Sequence, residues 1–305
     1  MRRYFLLLLV PVLFLSSCGG GQDKSKELLG EDLLKEDSTS DGDQPTISQE
    51  VITDIIQQIP SPLEISALLK EVGSDYDRSI LNDPEATSRY NSNYKKALNL
   101  GIYGTDLGYT NIYERNQDAI AYLNGVRTLA DGLSIGQFFD FGTISRLAAQ
   151  SKNLDSLLLI TTKNFNSINS YLQEQKRSNM SILLLTGGWL EALHISCQVL
   201  KQNPENQQLR DRIGEQKIIL ENIMLLLSFY GSSDPSVNKL TTELKKLKAV
   251  FDQIEIERIY EDSEYEVVDG VLVIKDNSRT EVKITDQNIA DITRITDEIR
   301  NNIIS

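Results

Sequence analysis

Glu191 and His194 are the residues whose types and spacing come closest to a recognised chemistry. A Glu-x-x-His pair puts both side chains on one helix face, and ferritin-like dinuclear iron sites use this motif twice. His194 is the only histidine in the sequence, so the second half of such a site would have to come from another copy. The motif alone therefore does not predict a di-iron centre.

Cys197 continues the same helix face, which allows a mononuclear Glu-His-Cys zinc site to be drawn. Three ligands within two turns of one helix seldom converge on a tetrahedral metal. We expect instead that Glu191, His194 and Cys197 form a buried polar cluster bonded to a neighbouring helix. The sequence therefore predicts no metal and no cofactor.

Nucleophilic catalysis has little support in the sequence. His194 is the only imidazole that could activate a serine or cysteine, and no Gly-x-Ser-x-Gly elbow or Gly-rich phosphate loop is present. Catalysis by paired carboxylates stays open, because a chain with 44 acidic residues always contains some pair. We predict a protein that is not an enzyme and keep an envelope hydrolase as the least favoured alternative.

A second candidate is the stretch Gly101–Gly108, which is rich in glycine and tyrosine and predicts a turn between two helices. Tyrosine combines an aromatic body with a polar tip and is favoured at recognition surfaces. The sequence therefore predicts a recognition surface made by Tyr103, Asp106, Tyr109 and Tyr113. The alternative is that these rings pack helices around a tight turn.

The tripeptide Gly187-Gly188-Trp189 lies inside a helical pattern. Each glycine weakens a helix by roughly 1 kcal/mol relative to alanine, so a gain elsewhere must offset it. Close contact with another helix is the favoured interpretation. The alternative is a ligand pocket beside Trp189 that Glu191 and His194 would help to line.

The first 21 residues indicate how the chain is located. A basic pair, Arg2-Arg3, precedes an apolar run, which ends in Leu15-Ser16-Ser17-Cys18 and three glycines. This pattern resembles a bacterial lipoprotein signal of the lipobox type. The resemblance implies that residues 1–17 are a signal peptide, that Cys18 is acylated, and that the acyl chains anchor the protein in a membrane.

A spanning helix and a twin-arginine signal both fit this segment less well than a lipobox does. The apolar run of about 12 residues is shorter than the roughly 20 that a spanning helix needs. Arg2-Arg3 also fits twin-arginine export, although the short basic region suits the general secretory route better. In lipoproteins of enteric bacteria an Asp after the cysteine favours the inner membrane, and Gly19 here favours the outer membrane, in its periplasmic or surface leaflet.

Charge excludes several classes of partner. The chain has 31 basic and 44 acidic residues and a net charge of −13, and loss of Arg2 and Arg3 makes it more negative. Nucleic acid and anionic lipid both require a basic surface, so neither is an expected partner. The expected partners are the membrane, through lipid on Cys18, and a protein of the cell envelope. With Cys18 acylated, Cys197 is the only thiol, so no intramolecular disulfide is expected.

Composition divides the chain into four segments. Residues 18–46 are polar with few apolar side chains, which predicts a disordered tether after the signal peptide of residues 1–17. A calcium-loop pattern near Asp37 lacks its acidic twelfth residue, where Ser48 stands. Residues 47–260 predict a helical bundle domain, and residues 261–305 a β-meander and a C-terminal helix packed on the bundle.

Helical periodicity dominates the bundle domain. Residues 180–200 are apolar nearly all round and predict a buried middle helix. Asp234-Pro235 is a strong helix start. Further helices are predicted at residues 84–100, 109–130, 138–149, 153–175 and 207–230.

The C-terminal segment changes to a strand pattern. Asp269-Gly270 stands between apolar runs and predicts a hairpin, so residues 264–284 predict a three-stranded meander. Thr285 or Asp286 caps a last helix with an isoleucine stripe. The predicted fold class is mainly α: a non-repeating antiparallel helical bundle with a small C-terminal β-meander and a final helix.

The lipobox, the helices rich in Asn, Ile and Tyr, and the stretch Tyr103–Tyr109 are together similar to uncharacterised helical cell-envelope lipoproteins of Bacteroidota. That resemblance implies an anchored, non-catalytic binding or assembly component, and Asp37-Ser38-Thr39 would match the short O-glycosylation sequon of that phylum. The alternative is a small-ligand-binding or sensor domain with a pocket near Trp189 and Tyr103. A mostly apolar cavity would favour the alternative, and a solid core with an exposed patch would favour a binding component.

Overall fold

The computed structural model describes residues 74–148, 154–231, 234–260, 264–268, 271–275 and 279–305, together with Val51, Ile55 and Leu69. These residues belong to one compact unit, Ser48–Ser305. The predictions for residues 1–46, which are the signal peptide, the lipidated Cys18, the tether and the glycosylation sequon, lie outside the described residues.

The described part of the chain contains eight α-helices and four β-strands. The mainly α fold class is therefore confirmed. In chain order the elements are α1 (Asn93–Ile112), α2 (Asn116–Gly132), α3 (Phe141–Ala148), α4 (Leu154–Glu174), α5 (Ser178–Gln202), α6 (Gln207–Gly231), α7 (Pro235–Phe251), β1 (Glu255–Ile259), β2 (Glu264–Val268), β3 (Val271–Lys275), β4 (Arg279–Lys283) and α8 (Asp286–Ile304).

Helix α5 lies at the centre of the bundle and packs against α1, α4, α6 and α8. It is the one helix among the described residues that is long and apolar enough to cross a membrane, and nearly all of its apolar stretch is buried inside the protein. A helix that is apolar all round can be buried on every side by protein. The prediction of a buried middle helix is confirmed.

Glycines bring α1 and α5 into backbone contact. A Cβ atom on Gly101 would lie 2.0 Å from the Leu184 carbonyl oxygen, and one on Gly187 would lie 2.0 Å from the Leu98 carbonyl oxygen. The Thr105 hydroxyl donates across this contact to the Gly188 carbonyl at 3.0 Å. The close helix contact predicted for the Gly187-Gly188 pair is confirmed.

The turn predicted at Gly101–Gly108 is wrong, because these residues form the middle of α1. Gly101 serves the contact with α5 and not a change of chain direction, whereas a Cβ atom on Gly104 would meet no atom within 4 Å. The chain reverses later, at Tyr113–Arg115, between α1 and α2. The predicted helix at 84–100 likewise begins only at Asn93, where the Ser92 hydroxyl accepts the Lys95 N–H and caps α1.

The strands form two antiparallel pairs and not a meander. β1 pairs with β4, and β2 pairs with β3 as a hairpin inserted between them in the sequence. The predicted hairpin around residues 269–270 is present as the β2–β3 pair, but β4 joins β1 instead of β3. Lys283 on β4 bonds both Glu255 and Glu257 on β1, at 3.2 and 3.0 Å.

Helix α8 returns the chain to the bundle. Thr285 and Asn288 form a reciprocal capping box at its start. It packs against α5, α7 and α1, and so places its polar side chains beside the central helix. Its buried isoleucines are Ile292, Ile295, Ile299 and Ile303.

Candidate functional site

A buried ion pair joins α5 to α8. The Arg300 guanidinium donates from Nε to Glu191 Oε2 at 2.6 Å and from its NH2 nitrogen to Glu191 Oε1 at 2.7 Å. Neither side chain is more than 7% exposed. Burial lowers the pKa of Arg300, but the charge and hydrogen bonds of Glu191 raise it by more, so the pKa is raised overall. Arg300 therefore keeps its charge inside the protein, paired with Glu191.

Asp106 on α1 completes this buried cluster. Its side chain is fully buried, and burial together with the charge of Glu191 raises the Asp106 pKa well above the usual range. Both effects favour the neutral form of Asp106, whose Oδ2 accepts the Asn82 N–H at 3.3 Å and whose Oδ1 is buried with no hydrogen-bond partner among the described residues. One neutral acid and one ion pair leave the cluster without net charge.

His194 bonds to α8 and to the segment before α1. Its Nδ1 lies 2.7 Å from Asp297 Oδ1, and its Nε2 lies 2.9 Å from the Ile80 carbonyl oxygen. Burial raises the pKa of Asp297, but hydrogen bonds and charge from His194, together with Lys201 and Gln198, lower it by more. Asp297 is therefore a carboxylate at neutral pH.

Residues 74–83, which we call the strap, are held by buried side chains through their main-chain atoms. His194 and Arg300 both bond the Ile80 carbonyl, the latter at 3.3 Å. The Tyr122 hydroxyl donates to the Asn82 carbonyl at 2.5 Å, and the Tyr103 hydroxyl donates to the Asp83 carbonyl at 2.5 Å. Tyr109 accepts the Asp77 N–H at 3.2 Å and donates to the Asp75 carbonyl at 3.4 Å. Helices α1, α2, α5 and α8 thus converge on one short segment.

The recognition surface predicted at Tyr103, Asp106, Tyr109 and Tyr113 is wrong. The first three are fully buried, and Tyr113 is half-buried with its hydroxyl against Ser74. Tyr103, Asp106 and Tyr109 follow at steps of three along α1 and share one helix face, Tyr113 comes directly after the helix, and the strap covers that face. The polar atoms of Tyr103, Asp106 and Tyr109 bond main-chain atoms of the strap, and the Tyr113 hydroxyl bonds that of Ser74.

The pocket predicted from Trp189, Glu191 and His194 is also wrong. The Trp189 ring is buried, and its Nε1 donates to Gln216 on α6 at 3.0 Å. Glu191 and His194 point instead to Arg300 and Asp297 on α8. Trp189 therefore lies on a different face of α5 from Glu191 and His194, and the three side chains do not line one cavity.

Cys197 is buried one turn from His194, and Thr293 bonds its thiol. Burial raises the Cys197 pKa to about 12, against a smaller lowering by Thr293. The thiol is therefore protonated at neutral pH and is a weak nucleophile. Among the residues that the structure describes, no group of three or more His, Cys, Asp and Glu side chains is placed to hold a metal.

A surface groove lies beside the His194–Asp297 pair, between α8, the end of α5 and the start of α6. Its volume is about 610 Å³. Leu200, Ile289, Ala290 and Thr293 supply its apolar part. The other residues that line it are Lys201, Pro204, Arg210, Asp286, Arg294, Asp297, Glu298 and Asn301.

Two ion pairs cross this α5–α8 groove. Arg210 lies 2.7 Å from Asp286, and Lys201 lies 3.6 Å from Asp297. The two aspartates are eleven residues apart on α8, or about 16 Å along the helix axis. Asp297 therefore bonds His194 on one side and faces the groove on the other. Because His194 also bonds Ile80, Asp297 and His194 connect the groove to the strap. No sequence pattern predicts this groove, because it depends on where α8 meets the end of α5.

The His194–Asp297 pair has the geometry of a base and the carboxylate that orients it, but among the described residues no hydroxyl or thiol is bonded to either ring nitrogen. The second ring nitrogen faces the Ile80 carbonyl, which has no hydrogen to give. The neighbouring Ser79 hydroxyl donates to Asp77 instead of His194. In this arrangement the pair positions the strap.

No family model, curated protein or solved structure matches this chain.

Proposed function

We propose that this protein is a lipid-anchored, non-catalytic binding or assembly component of the cell envelope, and that it docks a partner protein in the α5–α8 groove. One observation carries the proposal. The buried ionisable side chains of the described core bond to the strap or to a neighbouring helix, whereas the groove is open and has Asp297, with its lowered pKa, in its wall.

The lipobox supports the anchor. Acylation of Cys18 would hold the chain at a membrane without a spanning helix, because each buried methylene contributes roughly 0.8 kcal/mol. The acidic composition supports the same conclusion, since a net charge of −13 gives anionic lipid no electrostatic attraction. The outer membrane is the proposed location.

The groove has the character of an interaction site. Apolar side chains between charged ones resemble the core and rim of protein interfaces. The ion pairs that cross it are partly exposed, and exposed pairs contribute only about 0 to 1 kcal/mol, so a partner can replace them at little cost.

A site-specific cross-linking experiment tests the proposal. Ala290 in the groove and Ala249 on α7 are both exposed alanines on helices, so a benzophenone amino acid can replace each in turn in the full chain. In cells of the native host we expect cross-linking from position 290 to one defined envelope protein, and none of that product from position 249. Equal products from both positions, or none from 290, would contradict groove docking.

The anchor has its own test. Cys18→Ser should leave an unprocessed precursor that takes up no labelled fatty acid. Cleavage before residue 18 together with lipid labelling in this variant would show that Cys18 is not the anchor. Because this test does not involve the groove, either half of the proposal can fail separately.

A small ligand is the second candidate occupant, and the size of the groove favours it. A volume of about 610 Å³ lies within the range of roughly 300 to 1,000 Å³ typical of small-molecule sites. Native mass spectrometry of protein purified from its host would reveal a retained small molecule. The change Ala290→Trp would fill the groove and remove that molecule, whereas Ala249→Trp would not.

A further inference from the structure

His194 faces a hydrogen-bond acceptor at each ring nitrogen. The partner of Nδ1 is the Asp297 carboxylate, and the partner of Nε2 is the Ile80 carbonyl oxygen. A neutral imidazole donates from one nitrogen only and carries a lone pair on the other. In either neutral form of His194, the ring nitrogen without a hydrogen would place its lone pair against the oxygen of Asp297 or of Ile80.

The surroundings of His194 favour a positive charge on its ring. The carboxylate of Asp297 lies closest, and Lys201 is 3.6 Å from the other oxygen of that carboxylate. The buried Arg300 is neutralised by Glu191, and Asp106 is a neutral acid. Around His194, Asp297 bonds the ring, Lys201 pairs with Asp297, and Arg300 bonds the same Ile80 carbonyl as His194. Glu191 and Asp106 act on Arg300, and on the strap the Asp77 carboxylate accepts from Ser79.

We propose that His194 carries a hydrogen on both ring nitrogens and, in this charged form, latches the strap onto the helical bundle. Loss of one hydrogen at higher pH then loosens the strap, which its other hydrogen bonds still hold to the bundle. Asp297, as a carboxylate, holds the hydrogen on Nδ1 more strongly than the Ile80 carbonyl holds the one on Nε2. The contact with Ile80 is therefore the one that breaks, and Ile80 keeps only its longer bond from Arg300.

Water can reach the pair through Asp297. The His194 side chain is only 9% exposed, but that of Asp297 is 30% exposed and lines the α5–α8 groove. The hydrogen can therefore leave and return without unfolding of the bundle. The latch is a positioning device, and it does not depend on which partner the groove binds.

Nitrogen NMR tests the charged state directly, because the chain contains one histidine. The full-length protein would be labelled with ¹⁵N-histidine and purified through a tag that contains no histidine. At about pH 7, we expect both ring nitrogens to show the shifts and couplings of hydrogen-bearing nitrogens. One bare nitrogen at this pH would overturn the proposal.

Hydrogen exchange tests the release of the strap. Exchange of the peptide that covers residues 74–83, corrected for the intrinsic effect of pH, should become about tenfold faster between about pH 6 and about pH 9. Helix α7, Pro235–Phe251, packs against α6 and α8 and is the internal control, with no such increase expected. Equal protection of the strap at both pH values would also overturn the proposal.

Matched variants assign the effect to the Asp297 carboxylate. Asp297→Asn removes the charge that holds the second hydrogen, so the strap should already exchange fast near pH 6. Asp291→Asn makes the same change on the same helix, outside the groove and away from His194, and should behave as wild type. Identical behaviour of the two variants would contradict the role of Asp297. If Asp297→Asn does not fold, the wild-type spectrum and exchange still decide the proposal.

Discussion

Arg300 holds Glu191 through two charged hydrogen bonds, across 109 residues of sequence, at a point where neither side chain reaches water. Buried ion pairs contribute little net stability, because removal of two charges from water offsets their attraction. Removal of only one partner lowers stability much more, because it leaves the other charge buried without a counter-ion. The pair therefore fixes where α8 meets α5.

Arg300→Met should lower the free energy of unfolding by about 3 to 5 kcal/mol, because Glu191 would remain buried without a cation. The double variant Glu191→Met, Arg300→Met should recover most of that loss. Arg294→Met is the control, because its ion pairs are exposed and should contribute no more than about 1 kcal/mol. Denaturant titration measures all three, and a double variant as unstable as the single one would contradict this account.

Gly101→Ala should destabilise the protein by more than the roughly 1 to 3 kcal/mol typical of overpacking, because its Cβ would meet backbone atoms of α5 that cannot move aside. Gly104→Ala lies one turn further along the same helix, with no atom within 4 Å of the added Cβ. It should stabilise the protein by roughly 0.5 to 1 kcal/mol through helix propensity. Thermal unfolding of the two variants should shift in opposite directions, and equal shifts would show that the α1–α5 contact is looser than described.

Tyr103→Phe should cost about 1 kcal/mol, the net value of a typical hydrogen bond, because it keeps the ring and removes the bond to the Asp83 carbonyl. Tyr103→Ala also removes a buried ring and should cost about 3 to 5 kcal/mol. Tyr260 is 77% exposed, and Tyr260→Ala should change stability by no more than about 0.5 kcal/mol. Chemical denaturation distinguishes these three sizes of effect, and a Tyr103→Ala variant as stable as Tyr260→Ala would mean that this ring is exposed after all.

The two aspartates should give opposite dependences of stability on pH. The pKa of Asp297 is lowered in the folded protein, so its contribution is present at neutral pH and is lost as the pH falls below the value of an unfolded aspartate, about 3.9. Asp297→Asn should therefore reduce the loss of folding stability between neutral and acidic pH.

The pKa of Asp106 is raised, so wild-type stability falls as the pH rises above that same unfolded value. Asp106→Asn keeps an acceptor for the Asn82 N–H and cannot ionise. It should therefore equal or exceed wild-type stability at about pH 7, well above the roughly 3.9 of a free aspartate. Urea titrations from about pH 3 to about pH 8 test both variants, and a strongly destabilised Asp106→Asn would show that Asp106 is charged.

The sequence predicts the elements whose pattern is local. Helix α5 is apolar on every side, and Asp234-Pro235 starts α7 as expected. The prediction of secondary structure failed where the structure depends on a contact between residues far apart in the sequence. The glycine-rich stretch around Gly101 has the composition of a turn, but Gly101 lies against Leu184 and Gly188 of α5, more than 80 positions later in the sequence. In the same way, β1 pairs with β4, and the β2–β3 hairpin lies between them in the sequence.

The candidate site was missed for the same reason. Tyrosines such as Tyr103 and Tyr109 are common at recognition surfaces, but here their hydroxyls bond main-chain atoms of the strap. Every residue type has these main-chain atoms, so the sequence contains no signal for such partners. His194 was expected to be buried and bonded to a neighbouring helix, which it is. Its second partner, Ile80, lies 114 residues earlier and could not be inferred.

The junction of Arg300, Glu191 and Ile80 also has a consequence for biosynthesis. A ribosome releases α1 and α5 long before it adds residues 297–300, so during that interval Glu191 has neither its cation nor a fixed strap above it. A nascent or truncated chain therefore contains an unpaired acid where the finished protein has a neutral core. Stable folding waits for the arrival of α8, and a chain that stops short of it remains recognisable to cellular proteases as incomplete.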